Sequence, residues 1–206
     1  MSDFYYGNKD SQNVLIQMVD DHDLEVIESQ VSNICKKFGS DFYLIALKTV
    51  NWNDDLSPWK YNNFAGNAEK TLTQVLEVAS SFKGKNLIIG GYSLSALFAL
   101  WASYKTDVFS AVAAASPSVW FPEFEEFTKA NKTHAKAVYL SLGDKEEKTR
   151  NQLMATVGTK IRTLYETYRA DGVNCTLEWN PGNHFMNPDL RTAKAFAWTL
   201  NQTRLT

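Results

Sequence analysis

Residues 87–100 run Leu87-Ile88-Ile89-Gly90-Gly91-Tyr92-Ser93-Leu94-Ser95-Ala96-Leu97-Phe98-Ala99-Leu100. The β-branched run 87–89 has the character of a buried strand, and from Ser95 the chain turns to apolar helix formers, so the period changes within a few residues. A strand therefore ends and a helix begins at Ser93. Gly91 lets the backbone bend where a side chain would obstruct it, and a small residue two after the serine lets helix and strand approach. That residue is Ser95, which makes G-x-S-x-S a relaxed form of the G-x-S-x-G turn that exposes a nucleophilic serine. A helix N-cap, with Ser93 Oγ accepting a backbone N–H, is the competing explanation of the same residues.

Working outward, the alternation persists on both sides. Residues 13–19 (NVLIQMV) form a buried strand that stops at Asp20-Asp21-His22-Asp23, after which Leu24, Ile27, Val31, Ile34, Cys35 and Phe38 recur at helical spacing up to Gly39. Residues 42–50 predict a second strand, 51–61 an irregular stretch rich in aromatics, and 65–82 a helix. Beyond the serine, strands are expected at 108–115, 137–142 and 173–179. A loop at 116–122 precedes a short acidic helix, and a long helix carries Leu153, Val157, Ile161, Leu164 and Tyr168 on one side. Pro188 suits the first position of a last helix. Six strands alternating with helices predict an α/β fold with a mainly parallel sheet, helices on both faces, and ligands beyond the carboxyl ends of the strands.

The chain of 206 residues is read as one domain, 1–206. A net charge of -2 without a basic patch argues against nucleic acid as partner. No apolar run is long enough for a bilayer, and residues 1–13 lack the pattern of a secretory signal, so no membrane partner and a cytoplasmic address are expected. Cys35 and Cys175 have no metal-like spacing and read as reduced packing residues. The sequence leaves the oligomeric state open.

Three loops at that carboxyl edge carry Ser93, a carboxylate cluster at 144–147 and His184, in that order. A serine hydroxyl needs a base to become a nucleophile at neutral pH, imidazole suits that task, and a carboxylate orients and stabilises the imidazole. His184 lies in a Gly/Pro/Asn-rich loop, an unusual place for a packing histidine, whereas His134 sits in a polar turn and reads as a surface residue. Glu146 is the candidate acid, with Glu147 and Asp144 as rivals, and the acidic first turn of a helix is the plainer account of that cluster.

The segments GGYSLSALFAL, SPSVWF, YLSLGDKEE and NPGNHF resemble those of small α/β-hydrolases of the esterase type, a group including esterase D, feruloyl esterases and siderophore esterases. The resemblance covers most of residues 13–202 and implies a compact α/β-hydrolase fold of about six strands, the first strands of the full fold being missing or reduced to a scrap at 4–6. In such enzymes the acid often lies three residues after a strand-ending glycine, which from Gly143 is Glu146. An oxyanion hole would use the N–H of Leu94 and one from Asp20 or Asp21, although those aspartates equally well just end a strand and cap a helix. Trp52, Trp59, Trp120 and His22 would contact substrate, though aromatics in such loops also serve as plugs to the core. The implied activity is hydrolysis of a small soluble carboxylic ester by a Ser-His-acid triad without metal or organic cofactor. Acyl transfer, thioester cleavage and a catalytically silent binding domain are the alternatives on the same fold.

Overall fold

The computed structural model describes residues 2–203. Its elements, in chain order, are β1 (Ser2–Gly7), β2 (Asn13–Val19), α1 (Asp21–Phe38), β3 (Tyr43–Lys48), α2 (Trp52–Leu56), α3 (Ala68–Ser80), β4 (Asn86–Tyr92) and α4 (Ser93–Lys105). There follow β5 (Ala111–Ala115), α5 (Phe124–Ala130), β6 (Ala137–Gly143), α6 (Val157–Ala170), β7 (Asn174–Asn180) and α7 (Pro188–Thr203). Short 3-10 turns at Glu146–Lys148 and Met154–Thr156 link β6 to α6.

The strands form a seven-stranded sheet in the order β1-β3-β2-β4-β5-β6-β7. All neighbours are parallel except β1, which runs antiparallel to β3 along six residue pairs from Ser2↔Lys48 to Gly7↔Tyr43. The expected sheet of about six strands is thus corrected to seven. The stretch taken as a scrap at 4–6 is a full edge strand, which the sequence hid because it lies at the edge with Phe4 and Tyr5 exposed and only Tyr6 partly covered, so neither an apolar run nor an alternation marks it.

Helices cover both faces, as the alternation predicts. On β2, Val14, Ile16 and Met18 enter one core layer with residues of α3, α4 and α6, while Leu15 and Val19 enter the other with α1 and α7. This is the period of two expected of a strand buried on both sides. The core stripe read from Leu153 begins later, at Val157, and the irregular stretch after β3 contains the short helix α2. No helix among the described residues is long and apolar enough to cross a membrane.

At the centre of the sheet, β4 passes so close to its surroundings that it cannot bear side chains everywhere. A Cβ added to Gly90 would lie 2.5 Å from Ala113 O and 2.9 Å from the Phe196 ring on α7. Gly90→Ala is therefore expected to lower the unfolding free energy by about 1–3 kcal/mol, the usual cost of overpacking, read as a lower urea midpoint with unchanged slope.

Candidate active site

β4 ends at Tyr92, and Ser93 has φ 58°, a left-handed conformation that costs a non-glycine residue energy and presents its side chain above the sheet edge. Gly91 permits the bend, since a Cβ there would lie 2.1 Å from Ser95 Oγ. Ser95 is itself employed: fully buried, it donates its hydroxyl to Met18 O at 2.8 Å and so ties the turn to the end of the neighbouring β2. A glycine at 95 would lack that link.

The structure brings Ser93, His184 and Glu146 together. Ser93 Oγ is 3.0 Å from His184 Nε2, and His184 Nδ1 is 2.7 Å from Glu146 Oε2. The His184 side chain is 31% exposed and that of Glu146 4%. The rival carboxylates point elsewhere: Asp144 Oδ1 accepts the Gly182 N–H at 2.8 Å, and Glu147 meets Arg162 at 3.4 Å. His134 is exposed and remote from these contacts, its N–H donating to Ser103 O.

Glu146 has a partner the sequence did not suggest. Its Oε1 accepts from Gly143 N–H at 2.7 Å, Ser116 Oγ at 2.8 Å and Arg191 Nη1 at 3.0 Å. Arg191, only 2% exposed, also donates through Nη1 to Tyr92 OH at 3.1 Å and through Nη2 to Pro181 O at 3.0 Å. Tyr92 OH in turn donates to His184 O at 2.6 Å. One guanidinium thereby joins the serine turn, the acid and the histidine loop. Its signal was present: Arg191 lies in the first turn of α7, where the helix dipole disfavours a cation, so a compensating anion was to be sought nearby. Ser118 Oγ, 3.3 Å from Ser93 Oγ, also went unremarked from sequence.

Burial alone would raise the Glu146 pKa, but the hydrogen bond and charge of His184, the Gly143 amide and the Ser116 hydroxyl outweigh it and hold the carboxyl below its ordinary value. The acid is therefore ionised and aimed at Nδ1.

A cavity of about 510 Å³ opens over Ser93 and is lined by Trp52, Phe64, Leu94, Trp120, Met154, Val157 and Phe185 among others. Trp52 and Trp120 are among the lining residues. Trp59 does not: its Nε1–H donates to Pro122 O and its ring packs on Phe121 and Phe127, so it fastens the loop to the core. His22 is exposed and, like Asp20 and Asp21, does not line the cavity. The Asp20 N–H donates to Asp23 Oδ2 while Asp20 Oδ1 accepts from Asp23 N–H, a reciprocal cap on α1. Capping thus engages one of the two amides expected to serve an oxyanion, that of Asp20. Leu94 N–H, at the first turn of α4, keeps its expected position beside Ser93.

No protein-family model and no curated protein matches the sequence. The fold is nevertheless similar to several solved structures. Siderophore hydrolase EstA from Aspergillus nidulans superposes with a TM-score of 0.71 at 18% identity, covering 96% of this chain and 86% of that one. An IroE-like serine hydrolase from Shewanella oneidensis gives 0.75 at 13% identity, covering 97% and 75%. For the enterobactin esterase FES from Shigella flexneri the TM-score is 0.69 at 14% identity and coverage 97%, and the chain spans 56% of that longer protein. At these identities the likeness establishes the α/β-hydrolase fold.

Removing the guanidinium strands a buried carboxylate. Arg191→Met is expected to cost about 3–5 kcal/mol of stability at neutral pH, measured by urea unfolding. Because Glu146 titrates lower folded than unfolded, its contribution is present above the ordinary value of 4.5 and is lost as pH falls through the depressed one. Glu146→Gln is expected to flatten the loss of stability as the pH falls below the ordinary value of 4.5.

Proposed function

We propose that this chain is a serine hydrolase of the carboxylesterase type that cleaves a small soluble ester through an acyl-enzyme. The observation that carries this is the unbroken series of contacts from Glu146 through His184 to Ser93, with the serine in a strained turn at the floor of an apolar cavity. The named esterases and serine hydrolases of the same fold agree with it.

In the proposed reaction, Ser93 Oγ attacks the ester carbonyl carbon while His184 Nε2 takes the hydroxyl proton. Glu146 holds Nδ1–H and stabilises the imidazolium, and Leu94 N–H donates to the developing oxyanion at the helix N-terminus. The tetrahedral intermediate collapses, the C–O bond to the alcohol breaks, and His184 passes its proton to the departing oxygen. Water, deprotonated by the same nitrogen, then attacks the acyl carbon, the bond from that carbon to Ser93 Oγ breaks, Oγ takes the proton back from His184, and the carboxylic acid departs. Trp52, Phe64 and Trp120 offer apolar surface for a substrate group.

Ser93→Ala is expected to lower kcat on p-nitrophenyl acetate at least about a thousandfold with an unchanged urea midpoint, and to abolish labelling by a fluorophosphonate. Undiminished turnover in the folded variant would refute the assignment.

A further inference from the structure

Charge around the cavity is unevenly arranged. Three charged residues line it: Lys145, Glu146 and Lys148. Glu146 sits behind His184 and faces the Arg191 guanidinium, so its charge is balanced within the protein. Lys145 and Lys148 are exposed, and neither ammonium has an acidic partner among the described residues. The nearby carboxylates are turned to other donors. Asp144 accepts from Gly182 N–H and Glu147 pairs with Arg162. Asp54 and Asp55, in the helix that carries Trp52, accept from the Ala65 and Asn51 amides. None of these four lines the cavity. In a chain of net charge -2, the lining charges without an ion-pair partner among the described residues are both positive, and the apolar walls strengthen their field relative to open water.

The backbone sets the side on which the lysines stand. They flank Glu146 in sequence, and the Lys145 N–H donates to Gly182 O at 3.1 Å, two residues before His184. They therefore belong to the histidine's side of the nucleophile. In ester cleavage the histidine must deliver a proton to the departing oxygen, so the alcohol half lies on that side.

We propose that the substrate is an ester whose alcohol half carries a negative charge, a carboxylate in the simplest case, and that Lys145 and Lys148 select it. This deepens the serine-hydrolase reading and rests on it. The alcohol released is then a hydroxycarboxylate, and the aromatic wall of Trp52, Phe64 and Trp120 is left for the acyl half.

The test compares 4-acetoxybenzoate with neutral 4-acetoxybenzamide, each rate divided by that of uncatalysed hydrolysis. The expected kcat/KM ratio at low salt is about three- to tenfold in favour of the carboxylate, the range for two partly exposed ion pairs. It should approach one in about 0.5 M NaCl, where screening reaches only a few ångströms, and also in the Lys145→Ala/Lys148→Ala double variant. In Lys145→Glu/Lys148→Glu it should invert. A wild-type ratio of one or less, or a ratio unmoved by the double alanine change, overturns the proposal. So does a preference confined to a charged acyl half, tested with mono-p-nitrophenyl succinate against p-nitrophenyl butyrate. Turnover of the neutral ester that Ser93→Ala abolishes, without any preference for charge, would sink the substrate class and leave the hydrolase reading standing. No turnover of any ester by folded protein would remove both.

Discussion

A carboxylate withdrawn from water at the carboxyl edge of a parallel sheet is the constraint around which the rest is arranged. Desolvation of such a group costs several kcal/mol unless donors replace the lost water. Here Oε1 of Glu146 is saturated by an amide, a hydroxyl and a guanidinium, leaving Oε2 for the His184 ring. The donors come from β6, the loop after β5 and α7, so satisfying one buried charge fixes the mutual positions of segments far apart in the chain. Ser116, one of the donors, itself holds a positive φ of 44°, strain that the surrounding contacts maintain.

The sheet supplies the other half of the arrangement. Parallel strands deliver every following loop to the same edge, and the order β4-β5-β6-β7 places the serine turn, the Ser116 loop, the acid and the histidine side by side. The link from Ser95 Oγ to Met18 O adds β2 to this frame. What looked like an imperfect motif is a tighter one, because the hydroxyl where a glycine is usual makes a buried bond to the adjacent strand.

Legibility along the chain followed the range of the forces involved. Strands β2, β4, β5 and β6 were readable because burial on both faces leaves continuous apolar runs, while β1 was not, since residues 3–5 and 7 are exposed and only Tyr6 is partly covered. Ser93 and His184 stood out through local turn chemistry and order along the chain, whereas the cluster at 144–147 offered Glu146 together with its rivals Asp144 and Glu147. Trp52 and Trp59 lie seven residues apart in similar surroundings, yet one lines the cavity and the other anchors its loop. No local pattern separates them, because the difference depends on Pro122, Phe121 and Phe127 from another part of the chain.

The sequence by itself determined the alternation of strands and helices and the sheet edge at which the loops bearing Ser93, the carboxylate cluster and His184 gather, since periodicity and turn preference act over a few neighbours. Tertiary structure alone decided which carboxylate meets the imidazole, that Arg191 stands behind it, that the Asp20 amide is engaged in a helix cap, and that Lys145 and Lys148 border the cavity without an acidic partner among the described residues. Those outcomes depend on which groups are near one another after folding, and on how burial and counter-charge balance there.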